Sequence, residues 1–161
     1  MAILATNDML FKAFEPKVQN RFILKIDGNP SWYVKKVSGI GFEDGEIKLD
    51  YINSYKKLRG KRTWNDINIT MYDPIAPSAI QEMMEWSRLS YETVTGRAGY
   101  SDFYKKELTL QVLGPVGDVI SEWIIEGAFI KTLNQGDFDW ASADVVELTA
   151  TIACDGMVLN F

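Results

Sequence analysis

Apolar and polar residues alternate with a period of two along most of this chain, and only one stretch switches to helical spacing, which leaves few architectures open. The cleanest run is Val145 to Cys154, where Val146, Leu148, Ala150, Ile152 and Cys154 share one face. Phe22, Leu24 and Ile26 alternate with Arg21, Ile23 and Lys25, and Asp27-Gly28-Asn29-Pro30 supplies a turn, after which Trp32 to Val37 is expected to return as the partner strand. Ser38-Gly39-Ile40-Gly41-Phe42 spaces its glycines for sharp bends, and Ile47, Leu49 and Tyr51 resume the period. Ile67, Ile69 and Met71 point one way while Asp66, Asn68 and Thr70 point the other. Leu108, Leu110 and Val112 restart the pattern up to Gly114-Pro115. Val119 to Leu133 reads as a strand pair or a long bent strand, and Gly136-Asp137-Phe138-Asp139-Trp140 as a turn.

The exception follows Asp73-Pro74. Pro74 or Pro77 suits a first helical turn, where a missing amide hydrogen costs little. In the expected helix, 74–91, Ile80, Met83, Met84, Ser87 and Tyr91 fall on one side and Gln81, Glu82, Glu85 and Arg88 on the other, so Met83 and Met84 read as core. Residues 1–20 read as an arm, either with a short helix capped by Asn7 or Asp8, presenting Leu10, Phe11 and Phe14 and closed by Pro16, or as an ordered extension on a neighbour. Residues 92–102 read as a surface loop. No βαβ rhythm, repeat or linker interrupts the 161 residues, so the expectation is one mainly β domain over 1–161. It is an antiparallel sandwich or barrel with one flanking helix and a long protruding hairpin over 45–72.

Charge is unevenly spread. Positions 56 to 62 hold Lys56, Lys57, Arg59, Lys61 and Arg62, five of the 17 basic residues, which leaves 12 against 22 acidic residues elsewhere, a formal charge of −10. This basic segment reads as a hairpin tip on an acidic body, either a docking surface complementary to other copies of the same chain or a solvated loop whose charges blunt edge pairing. Its flanking Tyr55 and Trp64 also suit phosphate neutralisation and base stacking, but the overall charge of −5 disfavours affinity for a polyanion.

The chain contains no histidine, which removes the usual general base near neutral pH, His-containing triads and Cys/His zinc sites. Carboxylate-only chemistry stays open, yet no Asp or Glu pair stands out. Asp137, Asp139 and Asp144 miss the calcium-loop pattern, since Ala141 holds its fifth position and no glycine its sixth; turn chemistry is the ordinary reading. Gly39-Ile40-Gly41 is too short for a dinucleotide fingerprint. The single cysteine, Cys154, reads as a buried, inert thiol. No apolar run approaches membrane-spanning length, and the first residues do not follow a secretion-signal pattern, so the chain is expected to be made in, and at first kept in, the cytosol, with no membrane partner.

The order of these segments resembles the tube proteins of contractile phage tails, relatives of type VI secretion tube proteins. The resemblance rests on Asn20-Arg21-Phe22-Ile23-Leu24-Lys25-Ile26, the bend Val37-Ser38-Gly39-Ile40-Gly41, the basic hairpin ending in Gly60-Lys61-Arg62-Thr63-Trp64, and the helix containing Met84-Glu85-Trp86. It continues through Glu126-Gly127-Ala128-Phe129-Ile130-Lys131 and the closing strand Val145 to Asp155. The resemblance implies a virion structural protein, not an enzyme, with no cofactor or metal. Hexameric rings would stack into a tube inside a sheath, between baseplate and terminator proteins, assembled in the host cytoplasm. DNA would pass through an acidic lumen without specific binding. Lys56, Lys57, Arg59, Lys61 and Arg62 would carry the contact between rings. The alternatives are a baseplate tube initiator, a type VI secretion tube protein, a carboxylate-only glycan hydrolase and a monomeric nucleic-acid-binding module.

Overall fold

A computed structural model describes residues 15–161. The sequence-predicted helix around Leu10 lies outside them. Among the described residues ten strands form: β1 (Phe22–Ile26), β2 (Asn29–Pro30), β3 (Val34–Ser38), β4 (Phe42–Asp50), β5 (Tyr55–Trp64), β6 (Ile67–Tyr72), β7 (Lys106–Leu113), β8 (Val119–Gln135), β9 (Glu147–Ala153) and β10 (Gly156–Leu159). Helix α1 (Ala79–Ser90) and a single turn, α2 (Ser101–Tyr104), lie between β6 and β7. The protein is mainly β and antiparallel with a flanking helix.

Eight strands join in the order β2-β1-β7-β8-β9-β6-β3, with β10 also on β8. The long bent alternative for 119–133 is the one found. The first half of β8 pairs with β7 and β10, and from Phe129 onward β8 pairs with β9. Gly127 marks the change, at φ 64, where an added Cβ would lie 2.1 Å from the Asp155 carboxylate. Only glycine combines that left-handed backbone with that close approach. The residues pointing inward from both halves form one core: Leu24, Leu108, Leu110 and Ile125 from one, Ile67, Ile69, Met71, Leu148, Ala150 and Ile152 from the other.

Asp27 and Gly28 both have positive φ and make a two-residue turn between β1 and β2, as the Asp-Gly pair demands. The expected return strand is corrected, because only Asn29 and Pro30 pair with β1. One further bond follows, from the Ser31 amide to the Leu24 carbonyl at 2.8 Å; beyond it the chain leaves β1, whose other edge is held by β7, and β3 crosses to pair with β6.

Helix α1 begins later than either proline. The Asp73 carboxylate accepts the amides of Ala79 and Ile80 at 3.1 and 3.4 Å and the Ser78 hydroxyl at 3.1 Å, so an aspartate five residues upstream of the N-cap satisfies the helix start. Its inward face is also rotated from the expected one: Ala79, Met83 and Trp86 are buried, whereas Met84 is exposed. Trp86 sets that phase, since its indole N–H donates to the Tyr104 carbonyl at 2.6 Å while its ring fills the core. Cys154 is half-buried, and burial, followed by the nearby Asp155 and Asp66 charges, pushes its thiol pKa up.

Candidate assembly interface

The basic segment is not a tip. Residues Tyr55–Trp64 are strand β5, and the turn lies earlier, at Tyr51-Ile52-Asn53-Ser54, closed by the Tyr51 amide donating to the Ser54 carbonyl at 2.7 Å. The hairpin therefore runs from Phe42 to Trp64, not over 45–72, because β6 belongs to the eight-stranded sheet and pairs there with β3 and β9. Its two strands form a separate two-stranded sheet. Five cations in seven residues look like a solvated loop, but the alternation of Lys56 and Leu58 with Tyr55, Lys57 and Arg59 continues through them, and Asn53-Ser54 is the better turn former.

Register gives the hairpin two faces. Ile47 lies opposite Leu58 and Leu49 opposite Lys56, while Glu46 faces Arg59, Lys48 faces Lys57 and Asp50 faces Tyr55. The pairing shifts between Asp44–Arg62 and Glu46–Arg59, so β5 carries one extra residue at Gly60-Lys61, a bulge that twists the hairpin. One face is apolar with Lys56 on it and Lys61 at its edge, and the other is charged. The apolar face is uncovered, with Ile47 51% and Leu58 46% exposed.

The charged face is largely satisfied within the hairpin. Lys57 pairs with Glu46 at 3.1 Å, and the Lys48 ammonium lies 4.6 Å from the Tyr55 ring, which relieves the Lys48–Lys57 juxtaposition. At the base, Arg62 donates to both Asp44 oxygens at 2.6 and 2.9 Å and stacks 3.7 Å over Phe42, whose ring meets Trp64 edge-on. That guanidinium holds the Asp44 carboxyl below its ordinary range. Trp64 in turn packs against the core and anchors the hairpin. Of the five basic residues singled out in the sequence, Lys57 and Arg62 are thus committed to their own hairpin. Among the described residues Lys56, Arg59 and Lys61 form no ion pair.

Elsewhere, an open groove of about 600 Å³ lies between α1 and the β1–β2 turn, lined by Asp27, Tyr33, Glu82, Glu85, Trp86 and Lys106 among others. The Tyr33 hydroxyl donates to Glu82, and burial together with that carboxylate pushes the phenol up to about 12. Among the described residues no three His, Cys, Asp or Glu side chains gather to hold a metal ion. The Asp139 carboxylate instead accepts the Ala141 amide at 3.0 Å, and Asp144 accepts the Ser142 hydroxyl at 3.0 Å. These are turn-forming bonds.

No family model matches the sequence, and no curated protein matches it. Solved structures do. A chain of the anti-feeding prophage cap, the AFP tube terminating cap, superposes with a TM-score of 0.78 at 19% identity, covering 98% of this chain and 99% of that one. A chain of the PVC extracellular contractile injection system, from the sheath-tube complex in its extended state, gives 0.75 at 18% identity over 98% and 99%. The chain has the fold of contractile-injection tube and terminator proteins. Hcp1 from Flavobacterium johnsoniae shares it at a TM-score of 0.55 and 15% identity, over 87% of this chain and 94% of that one. At these identities the likeness is one of fold, and it spans the tube-fold chain nearly end to end.

Proposed function

We propose that this chain is a self-assembling tube subunit of a contractile particle, forming hexameric rings that stack into a hollow conduit within a sheath, between baseplate and terminator proteins. The observation that carries the reading is the end-to-end likeness to a chain of a sheath-tube complex. The hairpin supports it physically, because a two-stranded sheet with an uncovered apolar face is marginal alone and gains when another copy covers it. In the phage-tail form of this reading the conduit passes DNA, and the formal charge of −5 favours a wall that does not retain a phosphate backbone. The role is mechanical and requires no catalytic residue.

Electron microscopy of the purified, concentrated chain tests this directly. Stacked rings or hollow tubes are expected, and a uniform field of monomers overturns autonomous assembly. The equally good superposition on a tube terminating cap favours a second reading, a ring that ends a tube. It predicts single rings that do not stack at any concentration.

A further inference from the structure

The β8–β9 connection, residues 137–146, is closed at its stem by the Gly136 amide donating to the Glu147 carbonyl at 2.8 Å, where an added Cβ on Gly136 would meet that carbonyl at 2.7 Å. Inside it, Asp139 accepts the Ala141 amide through its carboxylate and the Ser142 amide through its carbonyl, which fixes a turn with Trp140 at the apex. Trp140 is fully exposed, Phe138 is 73% exposed and Val145, at the far end of the loop sequence, is exposed as well. Asp137, Asp139 and Asp144 are interleaved with these residues along the loop and form no ion pair among the described residues. The loop is therefore held by its own turn bonds and presents exposed aromatic side chains and aspartates together.

The uncovered face of the β4–β5 hairpin has the opposite character: Ile47, Leu49 and Leu58 at its centre, with Lys56 and Lys61 beside them and without an ion pair among the described residues. Both surfaces remain exposed within one chain. We infer that the apolar, basic face of the hairpin receives the aromatic, acidic β8–β9 loop of a second copy. This inference rests on the self-assembly reading and specifies which surfaces meet. Aromatic anchors buried at the centre with complementary charges around them make an interface that excludes water at its core and fixes its register at its rim. It also separates roles on β5, with Lys56 and Lys61 facing the partner and Lys57 and Arg62 holding the hairpin.

Charge exchange tests the pairing. One variant carries Lys56→Glu and Lys61→Glu, the other Asp137→Lys and Asp144→Lys; Asp139 is left alone because its carboxylate and carbonyl both hold the turn, whereas the backbone amide at 144 keeps its bond to the Ser142 hydroxyl at 3.3 Å whatever side chain stands there. Each variant by itself places like charges across the contact, and its sedimentable assembly is expected to fall about tenfold or more. Mixed in equal amounts, each hairpin meets a loop of opposite sign and assembly returns. Melting of the monomers checks folding, and a maleimide cross-link between Leu58→Cys and Trp140→Cys copies, both carrying Cys154→Ala, reads the contact without charge changes. If the wild type assembles while both variants assemble as well as it does, or the mixture is not rescued and the cross-link is absent, the inference is overturned and the self-assembly reading stands. A wild type that never assembles overturns both.

Discussion

Strand β9 and the β4–β5 hairpin carry the same period-two pattern and meet opposite fates. In β9, Leu148, Ala150 and Ile152 are completely buried between neighbouring strands and the core. In the hairpin, Ile47, Leu49 and Leu58 alternate just as regularly and stay exposed. Alternation specifies a face that must be covered, but not whether the cover comes from the same chain. What separates the two is position: the inward face of β9 packs into the core cluster, whereas Ile47, Leu49 and Leu58 sit on a separate two-stranded sheet and belong to none of that cluster. On the proposed reading, the face left open in the hairpin is the one that another copy covers.

The largest consequence of that difference should appear in the body. Ile152→Ala removes a side chain with no exposure from close packing and is expected to destabilise the monomer by about 2–5 kcal/mol, measured by urea unfolding. A change below about 1 kcal/mol would mean that the core around β9 is loosely packed and the comparison fails. Gly127→Ala comes next. It forces a left-handed backbone on alanine and drives its Cβ against Asp155, whose carboxylate also pairs with Lys105 at 2.7 Å. A loss of about 1–3 kcal/mol is expected from this corner.

Leu58→Ala, in the same kind of alternating strand, should leave monomer stability within about 0.5 kcal/mol while reducing assembly. Unfolding and sedimentation on the same preparation separate the two readouts. A large loss of monomer stability would show that the hairpin face is covered by its own chain after all.

Much of the body was legible because each strand there is long, regular and bounded by turn residues. β1, β6, β7 and β9 lie where period two predicts, and Asp27-Gly28 makes the turn its chemistry requires. Pairing was less legible, since alternation does not name a strand's neighbour: β3 looked like the partner of β1, and β10, which returns along β8 after Asp155, left too short a pattern to notice. On α1, two apolar stripes one residue apart competed, and the choice of Met84 over Trp86 missed that the largest ring claims the core. In the hairpin, net charge over 56–62 outweighed the alternation beneath it, which moved the turn and hid the division between cations used internally and cations facing outward. The aromatic loop at 137–146 carried a sequence signal, Phe138 and Trp140 between aspartates, that was absorbed into turn chemistry.

The smallest effect concerns how the hairpin is held to the body. Asp44 has its pKa lowered from 3.8, first by the hydrogen bonds from Arg62. A carboxyl with a depressed folded pKa contributes its stabilisation above the unfolded value, and that contribution disappears as pH falls through the folded one. Acidifying below pH 3.8 should therefore loosen the base of the hairpin, seen as a few-fold drop in amide protection along β5 after correction for intrinsic exchange. The effect stays small because the pair is solvent-exposed and screened by salt. Asp44→Asn at neutral pH should reproduce it, since the amide removes the charge that protonation removes. Protection in β9 should not change in that variant, because none of its ladder bonds involves Asp44. If β9 loosens together with β5, the hairpin is part of the cooperative core, and the distinction between a face covered within the chain and a face left open no longer holds.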